Sequence, residues 1–369
     1  MLAAMIAPEL DLAADPADLT AALIDLESVS GAEGPIADAV EAALRRSPHL
    51  TVHRDGDAVV ARTDLGRGER VVLAGHLDTV PLPTAPGSRG TVPSSWAEVD
   101  GRRVLYGRGA TDMKGGVAVQ LVLAAALTAP NRDVSYVFYD HEEVDAAASG
   151  LARLQRNAPE LLEADFAVLL EPTDGTVEGG CNGTMRFRIT TTGRAAHSGR
   201  SWIGENAIHK QADVLARLAA YAPRTVTVEG LDYREGLNAI RIGGGVAGNV
   251  VPDTACVEVN YRFAPDKTPD EAVAHVREVF AGYELELTDL SPAARPGLDR
   301  PAAAAFVAAV GQEPKPKYGW TDVARFSQMG VPAVNFGPGD ALLAHTDDEH
   351  VSADAVRECH RALAAWLTD

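Results

Sequence analysis

The chain is poor in features that mark several large protein classes. Its three cysteines, Cys181, Cys256 and Cys359, are scattered and show no CxxC spacing. That excludes a disulfide framework and a thiolate zinc site and fits a reducing, cytoplasmic setting. Cations are also scarce: 33 Lys and Arg face 52 Asp and Glu, for a formal net charge of −19. Such an excess of acid argues against nucleic acid or an anionic membrane as a partner. The longest apolar stretch, residues 117–129, contains Gln120 and is too short to span a bilayer. The opening Met1-Leu2-Ala3-Ala4-Met5-Ile6 lacks a basic n-region and reads as a poor signal peptide. No GxxxxGKS/T phosphate loop and no GxSxG nucleophile elbow occurs.

What is present fits a soluble globular protein of two domains. The 369 residues suffice for two cores, with 46% hydrophobic and 23% charged content. Val71-Val72-Leu73-Ala74-Gly75 is a continuous apolar run, as in a parallel strand covered on both faces. It ends in His76-Leu77-Asp78, and side chains two apart on a strand share a side. The glycines of Gly107-Arg108-Gly109-Ala110-Thr111-Asp112 lack a third partner for a nucleotide loop. They leave room instead for a tight turn that sets Asp112 between a strand and a helix amino terminus. Residues 133–139 read as a strand ending in Asp140-His141-Glu142-Glu143, and 164–170 as another ending in Glu171.

Helices are expected over 36–44, 146–157 and the chain end, with residues 82–100 as a surface excursion. Strands alternating with helices, with polar groups gathered at strand ends, indicate an α/β sheet with its site on one rim. From Gly179 the pattern changes to half-exposed strands at 184–192, 238–245 and 254–263, with helices at 205–218 and 269–280. This is a β-α-β-β-α-β unit inserted into the first domain. The expected division is 1–180 and 294–369 for the catalytic domain and 181–293 for the insert.

Five places then stand out at strand ends: His76, Asp112, Glu142-Glu143, Glu171 and His345. Any one alone would be an ordinary surface or loop residue. Together they are costly to gather unless a cation collects them. Two imidazoles and three carboxylates suit two borderline divalent ions with one carboxylate bridging. An HExxH helix starting at His141 fails because position 145 is Asp.

These motifs resemble the M20 family of dinuclear zinc amidohydrolases. The likeness rests on Gly75-His76-Leu77-Asp78-Thr79-Val80-Pro81, Gly107 to Gly116, Glu142-Glu143, Glu171-Pro172-Thr173 and His345-Thr346-Asp347-Asp348-Glu349. Within the family the chain is most similar to the actinobacterial succinyl-diaminopimelate desuccinylases, on Gly180-Cys181-Asn182-Gly183, Ala196-His197-Ser198-Gly199, Gly248-Asn249-Val250-Val251 and Gly319-Trp320-Thr321-Asp322.

The resemblance implies a zinc-peptidase-like α/β domain, its mixed sheet flanked by helices, with an inserted α+β, ferredoxin-like dimerisation domain. It implies two Zn2+ per subunit, which Co2+ or Mn2+ could replace. His76, Asp112 and Glu171 would hold one and His345, Asp112 and Glu143 the other. Asp78 would accept the second ring proton of His76. Glu142 would act as general base and then acid. His197 would reach the partner subunit's site in a homodimer and steady the oxyanion. Arg262, Thr321 and the Asn249 loop would contact the small-molecule substrate, N-succinyl-LL-2,6-diaminopimelate. An acetylornithine-type deacetylase or an M20 carboxypeptidase is the alternative within the family. A non-catalytic dimeric binding module is the alternative of another class, yet every ligand and the base are retained. One departure stands out: many desuccinylases of other bacteria carry an arginine where this chain has Cys181-Asn182, so part of the carboxylate recognition is unassigned. Arg186, Arg200 and Arg241 are unranked candidates.

Overall fold

The apolar run that ends at His76 forms the strand Arg70–His76, buried from Val71 onward. In the computed structural model, which describes residues 9–369, it lies near the middle of an eight-stranded sheet. The opening residues 1–6 lie outside the described part. The sheet order is Thr51–Asp55, Ala58–Arg62, Asp133–Tyr139, Arg70–His76, Phe166–Leu169, Ala333–Asn335, Glu178–Gly179 and Lys315–Pro316. Arg70–His76 pairs in parallel with both neighbours, and Ala58–Arg62 pairs antiparallel with Asp133–Tyr139. The sheet is therefore mixed, of the α/β class expected.

Asp133–Tyr139 and Phe166–Leu169 are buried at every position, because helices cover them. Gly115–Ala126 is buried along its first ten residues. It rides directly on a strand end: a Cβ at Gly116 would lie 2.3 Å from the Leu170 carbonyl oxygen, a close approach that only glycine permits. Pro16–Ile24 starts with Pro16 in its first turn and the Asp15 side chain accepting the Ala17 N–H. Phe166, Phe306 and Trp366 complete the core with ring centroids 5.5, 6.0 and 4.7 Å apart.

The chain divides into two compact units. One takes the residues up to Gly179 with Gly297–Lys315 and Arg325–Asp369; the other takes Gly180–Pro296 with Pro316–Ala324. The second unit holds a four-stranded antiparallel sheet in the order Gly236–Gly244, Thr254–Phe263, Gly183–Thr192, Glu286–Ser291. Gly183–Thr192 alternates buried and exposed beyond Met185, with Ala207–Ala220 and Pro269–Val279 contributing Val214, Ala272 and Val276 to the buried side. The segment Pro316–Ala324 joins this unit through several bonds, among them the Tyr318 hydroxyl to the Asp232 carbonyl. Asn182 N–H donates to the Lys317 carbonyl, the Trp320 indole to the Pro292 carbonyl, and the Cys181 thiol to the Thr321 carbonyl. The sequence, read linearly, places all of 294–369 in the first domain.

Three local differences have physical causes. Ser95–Val99, within the expected surface excursion, pairs with Arg102–Tyr106; its half-exposed pattern leaves little hydrophobic period to read. The expected helix from 146 begins at Gly150, because Ser149 takes the cap and accepts the Ala152 N–H. Thr225–Val228 and Leu231–Arg234 form an unexpected hairpin. Its Glu229-Gly230 turn, with φ of 51° and 86°, is the two-residue type that suits strand twist.

Candidate metal centre

Strand register sets the site. Ala74 lies opposite Leu169, so in two parallel chains His76 and Glu171 emerge at the same level. On the other side His76 lies opposite Tyr139, and the chain leaves that strand into Asp140-His141-Glu142-Glu143. Asp112 arrives from the glycine turn, where Gly109 has φ 83°, and leaves helical backbone itself at φ −119°, ψ 96°. His345 is held at φ 64° in the loop before His350–Ser352.

These side chains converge. His76, Asp112 and Glu171 form one cluster of potential ligand atoms, and Asp112, Glu143 and His345 a second, each within 4.8 Å. The same spacing joins His76, Glu142 and Glu143. Asp112 is divided between the imidazoles: its Oδ1 lies 3.1 Å from His76 Nε2 and its Oδ2 3.2 Å from His345 Nε2. His345 Nε2 is also 2.9 Å from Glu143 Oε1. A carboxylate with one oxygen toward each half of a site is the shape of a bridging ligand.

The electrostatics point the same way. Burial alone would depress the His76 pKa, but Asp112, Glu171 and Asp78 outweigh it and raise it well above the usual 6.5. Hydrogen bonds to Asp112 and Glu143 lift His345 to about 10. Burial alone would raise Asp112, yet His345 and His76 bring it far below the ordinary carboxylate range. Three carboxylates here demand positive charge, and protons on the imidazoles are one source of it. Divalent cations are the other, and a set of two imidazoles and three carboxylates fits them.

Asp78 differs from the sequence expectation. The Nδ1 of His76 bonds to the backbone carbonyl of Asp78 at 2.9 Å, while the Asp78 carboxylate stands 3.6 Å away. The carbonyl thus takes the ring proton and leaves Nε2 as the free ligand atom. The carboxylate, fully buried, serves the neighbouring loop. It accepts the N–H of Glu142 at 3.0 Å and of Glu143 at 3.1 Å, and the hydroxyl of Ser30 at 2.6 Å. Glu33 adds to this, accepting the N–H groups of Gly31 and His141. Ser30 and Glu33 carry no motif signal and sit more than a hundred residues before the loop that they help to hold.

The remaining candidates lie in the second unit. His197 is exposed on the short strand Ala196–His197, which pairs with Val250–Val251. Its Nδ1 accepts the Gly199 N–H at 3.0 Å, which leaves Nε2 as the ring's donor. Asn249 is exposed, and its carbonyl accepts the Ser198 N–H. Thr321 is buried. Arg262 is partly buried on Thr254–Phe263, donates to Asn260 Oδ1 at 3.2 Å, and pairs with no carboxylate among the described residues. Burial and then Arg186 lower its pKa. Arg186 pairs with Asp289 and Arg241 lies near Glu258, so both serve their own sheet. Arg200 is exposed.

The chain belongs to peptidase family M20/M25/M40, whose model matches residues 72–369. The solved structures agree in fold. An M20 metallo-carboxypeptidase of Sulfolobus solfataricus superposes with a TM-score of 0.76 at 16% identity, covering 96% of this chain and 98% of the other. Bacillus subtilis YXEP, described as a dinuclear metal binding peptidase, superposes at 0.69 and 18%, covering 95% and 96%. Among relatives by sequence, succinyl-diaminopimelate desuccinylase of Corynebacterium glutamicum is 42% identical over 98% of both chains. A Mycobacterium tuberculosis protein provisionally named succinyl-diaminopimelate desuccinylase DapE is 54% identical over 97% of this chain and 99% of its own.

Proposed function

We propose that the chain hydrolyses N-succinyl-LL-2,6-diaminopimelate to succinate and LL-2,6-diaminopimelate, a step toward lysine and peptidoglycan, as a cytoplasmic homodimer. The observation that carries the chemistry is Asp112, with its two oxygens turned to His76 and His345. The substrate rests on the 54% and 42% identity to proteins bearing the desuccinylase name. Two zinc ions would be held, one by His76, Asp112 and Glu171, the other by His345, Asp112 and Glu143. When bound, such ions acidify a water and polarise an amide carbonyl.

The chain's own groups do the rest. Glu142, whose N–H is fixed by Asp78, takes a proton from the attacking water. It returns that proton to the amine as the carbon–nitrogen bond breaks. His197 offers its Nε2–H to the carbonyl oxygen as charge gathers there. Arg262, free of any carboxylate among the described residues, takes a substrate carboxylate, with Thr321 and Asn249 alongside.

Dimerisation through the insert, residues 181–293, is supported by apolar exposure. The edge strand Gly236–Gly244 shows Ile240 and Ile242 to solvent, each more than half exposed, and Ala207–Ala220 shows Ile208 and Leu215. Trp202, 77% exposed, follows His197 closely. An open strand edge with apolar neighbours is a natural place for a second copy.

The test is a substrate panel on purified enzyme with metal measured on the same sample. Succinate release from the diaminopimelate substrate is expected. Turnover of N-acetylornithine or of peptides in its place would reject the assignment.

A further inference from the structure

Glu349 is a fully buried carboxylate that the chemistry above does not use. Its Oε1 accepts two peptide N–H groups, from Thr111 and Asp112, both at 3.1 Å. Its Oε2 bonds Nη1 of Arg108 at 2.7 Å, and Arg108 is itself only 3% exposed. The same stretch is tied further: Gly107 N–H donates to the Glu349 carbonyl and the Thr111 hydroxyl to the His350 carbonyl at 2.6 Å. A buried carboxylate is expensive to keep ionised, and packing alone would be served as well by an apolar side chain. The carboxylate here is held by Arg108 and turned to the backbone of Thr111 and Asp112, the second of which is the proposed bridging ligand. Asp78 treats Glu142 and Glu143 in the same manner, one oxygen to each N–H.

We infer that Glu349 is a positioning residue for the metal centre. It clamps the Asp112 peptide to the loop that carries His345, so that Asp112 shares its oxygens between His76 and His345. The inference rests on the reading of Asp112 as the bridging ligand. Glu349 belongs to none of the clusters of potential ligand atoms among the described residues and acts through the backbone.

The test compares Glu349→Gln with Arg108→Gln. An amide at 349 cannot face two N–H donors and a guanidinium at once without opposing donor to donor. Arg108→Gln leaves both peptide bonds to Oε1 in place. Zinc affinity by calorimetry on the metal-free proteins, the visible spectrum of the cobalt-loaded forms and the Tm of each are recorded. Glu349→Gln is expected to lose ~10–100-fold in affinity, with an altered cobalt spectrum and a lower kcat at similar KM. Arg108→Gln is expected to lower Tm while keeping affinity within a few-fold of wild type. Should Glu349→Gln not fold, Glu349→Asp replaces it; it keeps the charge but draws the acceptor back, and the same loss is expected. Wild-type affinity and spectrum in the variant at 349, or an equal loss in Arg108→Gln, would overturn the inference. A wild-type protein that binds fewer than two zinc ions would overturn the bridging reading beneath it.

Discussion

The two units carry their candidate residues in opposite ways. In the first, every proposed ligand but His345 is largely withdrawn from solvent, and the loops bearing them are tied by buried carboxylates. Asp78 holds Glu142 and Glu143, and Glu349 holds Thr111 and Asp112. In the second, His197 stands exposed on a two-stranded ribbon and Asn249 just before its second strand, and the same unit exposes Ile240, Ile242 and Trp202. The lesson is one of completeness. The first unit gathers its proposed ligands on buried strand ends and holds the loops that bear them, the kind of preorganisation that electrostatic catalysis uses. In the second, the Nδ1 of His197 is taken by the Gly199 N–H, which leaves Nε2 as the ring's donor.

That contrast can be broken at its strongest point by Glu142→Ala. It should retain both metals and lose ~10²–10⁴-fold or more in kcat; normal turnover would remove Glu142 from the mechanism. His197→Ala should lose ~10²–10³-fold in kcat, the usual cost of an oxyanion donor, with zinc content unchanged. A mixing experiment sharpens this. If His197 acts across a dimer, Glu142→Ala and His197→Ala proteins, each nearly inactive, should regain about a quarter of wild-type rate when dissociated and reassociated together, because half the dimers then carry one intact site. No recovery would place His197 within its own subunit's site or outside catalysis.

Asp78→Ala should act on the first unit alone, lowering zinc affinity by ~10–100-fold through the loosened Glu142-Glu143 loop. Unchanged affinity and turnover would deny it that role. The smallest effect is expected far from the site. Burial alone would raise the Asp133 pKa, but the N–H groups of Leu65 and Arg67, the Thr63 hydroxyl and Arg70 bring it below its ordinary 3.8. Its folded-state pKa being the lower one, Asp133 adds stability that is fully present above the unfolded value and fades as pH falls through the folded one. Asp133→Asn should cost about 1–3 kcal/mol at neutral pH and flatten the acid limb of a stability–pH curve. It should leave zinc binding untouched.

How much of this could be read from the sequence follows from the kind of force involved. His76, Asp112 and Glu171 stood out because each ends a buried strand or follows a glycine turn, places that periodicity reveals; Glu143 and His345 lie in loops, and the resemblance to the family picked them as ligands. The parallel strands and the inserted antiparallel unit were legible through periodicity as well. The role of the Asp78 carboxylate was not, because it depends on peptide N–H groups 64 and 65 positions away, and backbone donors leave no mark in composition. Glu349 lay in plain view within the His345 motif, yet its partner Arg108 is 241 residues distant. The segment carrying Thr321 joins the second unit by bonds to main-chain atoms, again without a sequence signal. The hairpin at Glu229-Gly230 was legible in principle, through its turn dipeptide.

The most direct test is zinc stoichiometry, measured by mass spectrometry on metal-stripped protein titrated with zinc while succinate release is followed. Two zinc ions per chain, with full activity reached only as the second site fills, is the predicted result. A chain that reaches full activity with one zinc bound, or with none, would contradict a centre bridged by Asp112.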